Sequence, residues 1–146
     1  EYAACGFTEI DYVLNQESVE NRDFDAIERE MTTIADFCRA HGITDKVIVE
    51  MCKLDGDDAA KRRVCEIALE AKPGFLKTST GRSFGGAKLE DVRLMHEVLG
   101  DAVAIKAAGG IHNYEEACAF IEAGASALGA SAGIAIVDGA PTDERR

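Results

Sequence analysis

Gly74–Phe75–Leu76–Lys77–Thr78–Ser79–Thr80–Gly81 carries more information about architecture than any other stretch of this 146-residue chain. It is a short apolar run that ends on one lysine and then gives way to small hydroxylated residues and glycine. A continuous apolar run of this length reads as a strand covered on both faces, as strands of parallel sheets are. The pattern returns at Ala102–Val103–Ala104–Ile105–Lys106, followed by Ala107–Ala108–Gly109–Gly110. Two strands that end alike at this separation point to repeated βα units.

The flanking sequence supplies more of them. Strands are expected at Thr8–Leu14, Lys46–Met51, Gly74–Thr78, Ala102–Lys106 and Ala125–Gly129, their starts 23 to 38 residues apart. Helical periodicity fills the gaps. Phe24–His41 aligns Phe24, Ile27, Met31, Ile34 and Cys38, and Gly42 follows as a stop. Asp58–Ala71 aligns Val64, Ile67, Ala68 and Ala71, with Pro73 beyond. Leu89–Leu99 ends at Gly100, and Asn113–Ala123 opens with Asn113 and Glu116 in capping-box spacing. A last short helix is expected from Ser131 to Val137, then a polar, frayed tail over Asp138–Arg146. Five parallel βα units imply an α/β domain spanning 1–146, either an open doubly wound sheet or part of a barrel. In both, chemistry sits beyond the C-terminal ends of the strands.

Composition narrows the function classes. With 27 acidic against 16 basic residues the net charge is −11, which repels nucleic acid and anionic lipid. No apolar run reaches the 18 residues a membrane span needs. Five cysteines without a C-x-x-C pair suit reduced thiols in a cytoplasmic protein. The three histidines show no metal-ligand spacing, so no metal site is expected. The chain does not begin with Met, and Glu1–Gly6 reads like the end of a helix already under way; a truncated chain is the expectation.

Lys77 and Lys106 are lone charges at the ends of apolar strands. A buried ammonium is costly unless paired, and two facing one mouth repel each other. Both effects favour the neutral amine, which can attack a carbonyl and form a Schiff base. The alternative is that each lysine merely reaches past the strand end to water. Asp11, within another apolar strand, is a candidate to move protons or simply to pair with a lysine. Glycines gather at three strand ends: Gly81 with Gly85–Gly86, Gly109–Gly110, and Gly129 with Gly133. Such loops let backbone N–H groups approach an anion, although most glycine loops are only turns. Ala87 stands where a Walker loop needs lysine, and Asp55–Gly56–Asp57–Asp58 lacks the later Glu of a calcium loop.

Phe75–Gly81, Gly85–Gly86–Ala87 and Ile105–Lys106–Ala107–Ala108–Gly109–Gly110–Ile111 resemble the signature segments of the deoxyribose-phosphate aldolases, class I aldolases of the DeoC family. So do Glu9–Ile10–Asp11, Lys46–Val47–Ile48–Val49–Glu50 and Ile121–Glu122–Ala123–Gly124–Ala125. The resemblance implies a partial TIM (βα)8 barrel, with five parallel units corresponding to strands 4–8 and the first three absent. It assigns Lys77 to the Schiff base, and Lys106 to depressing that amine's pKa and to proton transfer. Asp11 becomes the acid of the relay. It places Gly81, Arg82, Gly109, Gly110 and Ser131 around the phosphate of a sugar phosphate substrate, and it calls for no cofactor. Ala132 and His112 depart from the family pattern, where serine and arginine are common. An unclosed sheet further implies a homo-oligomer or pairing with an N-terminal half of the barrel.

Overall fold

The computed structural model describes residues 2–82 and 84–141. Five strands run in parallel: β1 (Glu9–Val13), β2 (Thr44–Ile48), β3 (Phe75–Lys77), β4 (Ala104–Ala108) and β5 (Ala127–Gly129). Their spatial order is their order in the chain. A doubly wound sheet reverses its strand order at a switch point. This one never does, so each right-handed crossover lays its helix on the same face. Helices α1 (Gln16–Asn21) and α2 (Phe24–Ala40) follow β1. Helices α3 (Asp58–Ala71), α4 (Leu89–Leu99), α5 (Tyr114–Glu122) and α6 (Gly133–Asp138) follow the later strands. Helices α2 to α5 pack each against the next, as the outer layer of a barrel segment does. The sheet is therefore five βα units of a partial (βα)8 barrel, one of the two architectures left open by the strand pattern.

Alternation along the strands separates the faces. Val47, Leu76, Ile105 and Ala107 point at the helices and are fully buried. Each large apolar side chain taken from water there contributes roughly 1.5–3 kcal/mol. The helices answer with Ile27, Met31 and Cys38 from α2, Val64, Ile67, Ala68 and Ala71 from α3, and Val92, Met95 and Leu99 from α4. Ala35, not Ile34, completes the buried stripe of α2. Asn15, Asp23, Asp57 and Asn113 cap α1, α2, α3 and α5 by accepting from backbone N–H groups three residues on. Each such cap is worth about 1 kcal/mol. The expected reciprocal bond at α5 is redirected, since Glu116 accepts from the N–H of His112.

Several boundaries differ from expectation. Strand β2 begins at Thr44 and stops at Ile48, because Glu50 turns into the left-handed region and Met51–Leu54 forms a 3₁₀ turn. Strand β4 lies two residues further on than its apolar run, which puts Lys106 in its middle. Helix α1 is too short for periodicity to announce it. Helix α6 starts at Gly133, which leaves Ser131 in the preceding loop. Tyr2–Cys5 is one 3₁₀ turn. Of the expected frayed tail, residues 142–146 lie outside the described residues, and Asp138 closes α6.

Candidate active site

The face of the sheet opposite the helices carries Asp11 on β1, Lys46 on β2, Lys77 on β3 and Lys106 on β4. Register explains why they meet. Asp11 pairs with Lys46, and Lys77 pairs with Lys106, and paired residues of parallel strands project to the same side. Asp11 Oδ2 accepts from Lys77 Nζ at 2.7 Å and from Lys106 Nζ at 3.0 Å. Lys46 Nζ lies 3.4 Å from Asp11 Oδ1 and donates to Glu9 Oε2 at 2.6 Å. The side chains of Lys77 and Lys106 are only 11% and 18% exposed, so they end on a carboxylate and not in bulk water.

The cluster holds three lysines against two carboxylates. Burial alone would push the Asp11 carboxyl up, but hydrogen bonds from Lys77 and Lys106 and their charges outweigh it and hold the group down at about 2. Burial likewise opposes the charge on Lys46, and Glu9 with Asp11 overcomes it, so that ammonium is held above its ordinary range.

Lys77 also opens onto a cleft of about 390 Å³ at the C-terminal ends of β3, β4 and β5. Its lining includes Gly81, Arg82, Gly109, Gly110 and Ser131, the five residues assigned to an anion from sequence. His112 borders it as well. The glycines are there partly for backbone contact. Gly109 has φ +83°, and a Cβ on it would come within 2.8 Å of the Gly81 Cα. A Cβ on Gly86 would meet the Gly109 carbonyl oxygen at 2.5 Å. The loops after β3 and β4 thus lie directly on one another, which only glycine permits. The Gly109 N–H donates to the Gly129 carbonyl at 3.0 Å, so Gly109 lines the cleft while its donor is already engaged.

Between lysine and glycine, Thr78 and Ser79 are buried staples. Thr78 Oγ1 accepts from the Ala108 N–H at 3.1 Å, and the Ser79 hydroxyl donates to the Ala108 carbonyl. They bind the exit of β3 to that of β4. Lys46 was not among the residues singled out as candidates. Its charge is not alone in the strand, because Asp45 adjoins it, and its part in the cluster follows from its register with Asp11.

Chemically, the arrangement offers amines beside a shared carboxylate, next to an anion-sized cleft. No protein-family model matches the chain. Among curated proteins, it is 44% identical over 139 residues to the deoxyribose-phosphate aldolase of Thermococcus gammatolerans, covering 95% of this chain and 61% of that one. It is 47% identical to the deoxyribose-phosphate aldolase of Caldanaerobacter subterraneus subsp. tengcongensis, covering 91% of this chain and 57% of the relative. Its fold matches the tetrameric deoxyribose phosphate aldolase from Aeropyrum pernix with a TM-score of 0.80 at 26% identity, over 93% of this chain and 56% of the other. The solved structure of QR15, an aldolase, matches with a TM-score of 0.78 at 35% identity, over 90% of this chain and 57% of the other. The chain thus spans about three fifths of the length of these relatives.

Proposed function

We propose that this chain, a relative of the deoxyribose-phosphate aldolases over about three fifths of their length, carries the catalytic side of a Schiff-base aldolase. The reaction is the reversible cleavage of 2-deoxy-D-ribose 5-phosphate to D-glyceraldehyde 3-phosphate and acetaldehyde. Lys77, as the free amine, adds to the substrate aldehyde, and loss of water gives a protonated imine. Removal of the proton from the hydroxyl two carbons away breaks the intervening carbon–carbon bond. The electron pair moves into the imine, leaving an enamine, and glyceraldehyde 3-phosphate departs. Protonation of the enamine carbon and hydrolysis release acetaldehyde and restore the amine. The imine is the electron sink, so the sequence of steps calls for no cofactor.

Asp11 and Lys106 relay the protons, a task typically worth about 10²–10⁴-fold in rate. The observation that carries this reading is the sharing of Asp11 Oδ2 by Lys77 and Lys106. A single carboxylate oxygen within reach of two amines can pass a proton from one to the other. The phosphate sits in the adjoining cleft, against Gly81, Arg82, Gly110 and Ser131, and Gly109 shapes its floor.

The remaining units of a barrel would close the sheet from the outer edge of β1 round to that of β5. A groove of about 520 Å³ runs there beside Glu9–Tyr12, and Phe7 and Val13 are exposed. A complete barrel takes roughly 250 residues and leaves no sheet edge. Among the described residues no helix is long and apolar enough to cross a membrane. Five cysteines without a C-x-x-C pair suit a reducing compartment, and on that ground we place the protein in the cytoplasm.

Incubation with acetaldehyde, borohydride reduction and peptide mapping by mass spectrometry test the reading. An ethyl adduct on Lys77 is expected once the upstream units are supplied in the same chain or in trans. No adduct in that completed protein defeats the aldolase reading. Phosphate-induced shifts at Gly81 and Gly110 without any adduct would instead mark a phosphate-binding module.

A further inference from the structure

Glu50, just past the end of β2, combines two unfavourable features. Its backbone is left-handed, at φ 63° and ψ 63°, and its charged side chain is only 1% exposed. A non-glycine residue in that region is strained, and such strain gathers at functional sites. A buried carboxylate is costly unless it accepts hydrogen bonds.

Its main partner is informative. Glu50 Oε1 accepts from the Thr80 N–H at 2.6 Å. On either side of Glu50 the backbone is bound to the same segment, Val49 N–H to the Lys77 carbonyl at 3.1 Å and Met51 N–H to the Thr78 carbonyl at 2.9 Å. The exit of β2 thus tracks the exit of β3, and at Glu50 a side chain reaches further along it. Thr80 lies between Lys77 and Gly81 and lines the same cleft. Thr80 Oγ1 in turn accepts from the Arg82 N–H at 3.3 Å. The second carboxylate oxygen lies 3.8 Å from the Cys52 thiol. Cys52 backs Gly85, where an added Cβ would come within 3.1 Å of the Cys52 Cβ. One strained carboxylate therefore touches the loop after β3 directly at Thr80, and near Gly85 through Cys52.

We propose that Glu50 is a positioning residue. Through the Thr80 N–H its buried carboxylate sets residues 78–82 so that the Lys77 amine and the Gly81–Arg82 backbone face one cleft. The left-handed backbone is what aims the carboxylate at Thr80. The role assigned to that cleft rests on the aldolase reading; the anchoring of Thr80 does not.

The test uses the chain as it stands, with Glu50→Gly and Glu50→Gln. Glycine relieves the backbone strain and removes the acceptor, whereas glutamine keeps a carbonyl acceptor. Amide exchange at Thr80 and Gly81, titration with inorganic phosphate followed at Gly81 and Gly110, and thermal melting are measured together. Glu50→Gly is expected to speed Thr80 exchange at least about tenfold, the size of a lost charge-assisted hydrogen bond, and to weaken phosphate binding. Its melting temperature should not fall in parallel. Glu50→Gln should stay within about threefold of the parent in exchange. If the glycine variant does not fold, Glu50→Asn replaces it, since Asn tolerates the left-handed region and is too short to reach Thr80.

Thr80 exchange within twofold of the parent in these acceptor-less variants overturns the proposal. If Thr80 is released by Glu50→Gly but the completed protein gives no Lys77 adduct, the aldolase reading falls and the positioning role stands. If the adduct forms equally well in both and Thr80 stays protected, the positioning role falls and the reading stands.

Discussion

Two lysine–aspartate clusters in this molecule use the same chemical groups and differ in their arithmetic. Behind the sheet, Lys61 Nζ donates to Asp91 Oδ1 at 2.5 Å and to Asp55 Oδ1 at 3.0 Å, and Lys88 pairs with the other oxygen of Asp55. Lys61 is 4% exposed and Asp91 3%. Two cations meet two anions there, beside packed helices. On the opposite face, Lys46, Lys77 and Lys106 share Asp11 and Glu9 beside an open cleft. The Lys61–Asp91 pair of the first cluster is balanced and sealed, and it ties α3 to α4, while Asp55 and Lys88 lie at its exposed rim. The second cluster has one more cation than anions and borders a cleft that a ligand can enter.

The largest expected effect follows from replacing Lys77. Lys77→Met should abolish reductive labelling by acetaldehyde in the completed protein, a loss of about 10³-fold or more. Stability should change by less than about 1 kcal/mol, because Lys46 and Lys106 still compensate Asp11. A large fall in the denaturant midpoint would mean that this cluster, too, is structural.

Next comes Lys61→Met. It strands Asp91 as an unpaired buried carboxylate and should cost about 3–5 kcal/mol in urea unfolding. Lys61→Met with Asp91→Leu should recover most of that, since an apolar pair has no charge to desolvate. If the single variant unfolds at the parent's midpoint, the sealed cluster is not the clamp its burial implies.

The smallest effect is one of pH. The Asp11 carboxyl is held at about 2 in the folded chain, against about 3.9 when unfolded. A depressed carboxyl stabilises the fold above its unfolded value, and the contribution fades as pH falls toward the folded one. The stability gap between the parent and Asp11→Asn should therefore be full above pH 4 and narrow between about pH 4 and 2. A gap that stays constant across that window would mean the lysines do not depend on the Asp11 charge.

Much of this was legible beforehand. Lys77 stood out because a strand covered on both faces has no place for a charge without a reason, and the same logic found Lys106 and Asp11. Strand existence was readable from apolar runs, but β4 slid two residues, since an apolar run shows burial and not where the ladder bonds begin. The glycine pattern fits either anion contacts or simple turns. The backbones at Gly81, Gly86 and Gly109 interlock, which by itself requires glycine there, and nothing in a linear pattern shows which backbone lies on which. Lys46, beside Asp45, carries no sign of a role in its linear context, and Glu50 gives no hint of its left-handed turn.

Element types, the parallel βα repeat and the candidate lysines depend on periodicity and composition over neighbouring residues, which the chain carries along its length. Strand order, the pairing of Lys77 with Lys106, and the meeting of both with Asp11 from 66 and 95 residues away do not. They arise because helices must bury their apolar stripes against one face of the sheet. That packing selects the register, and the register gathers the charges on the other face.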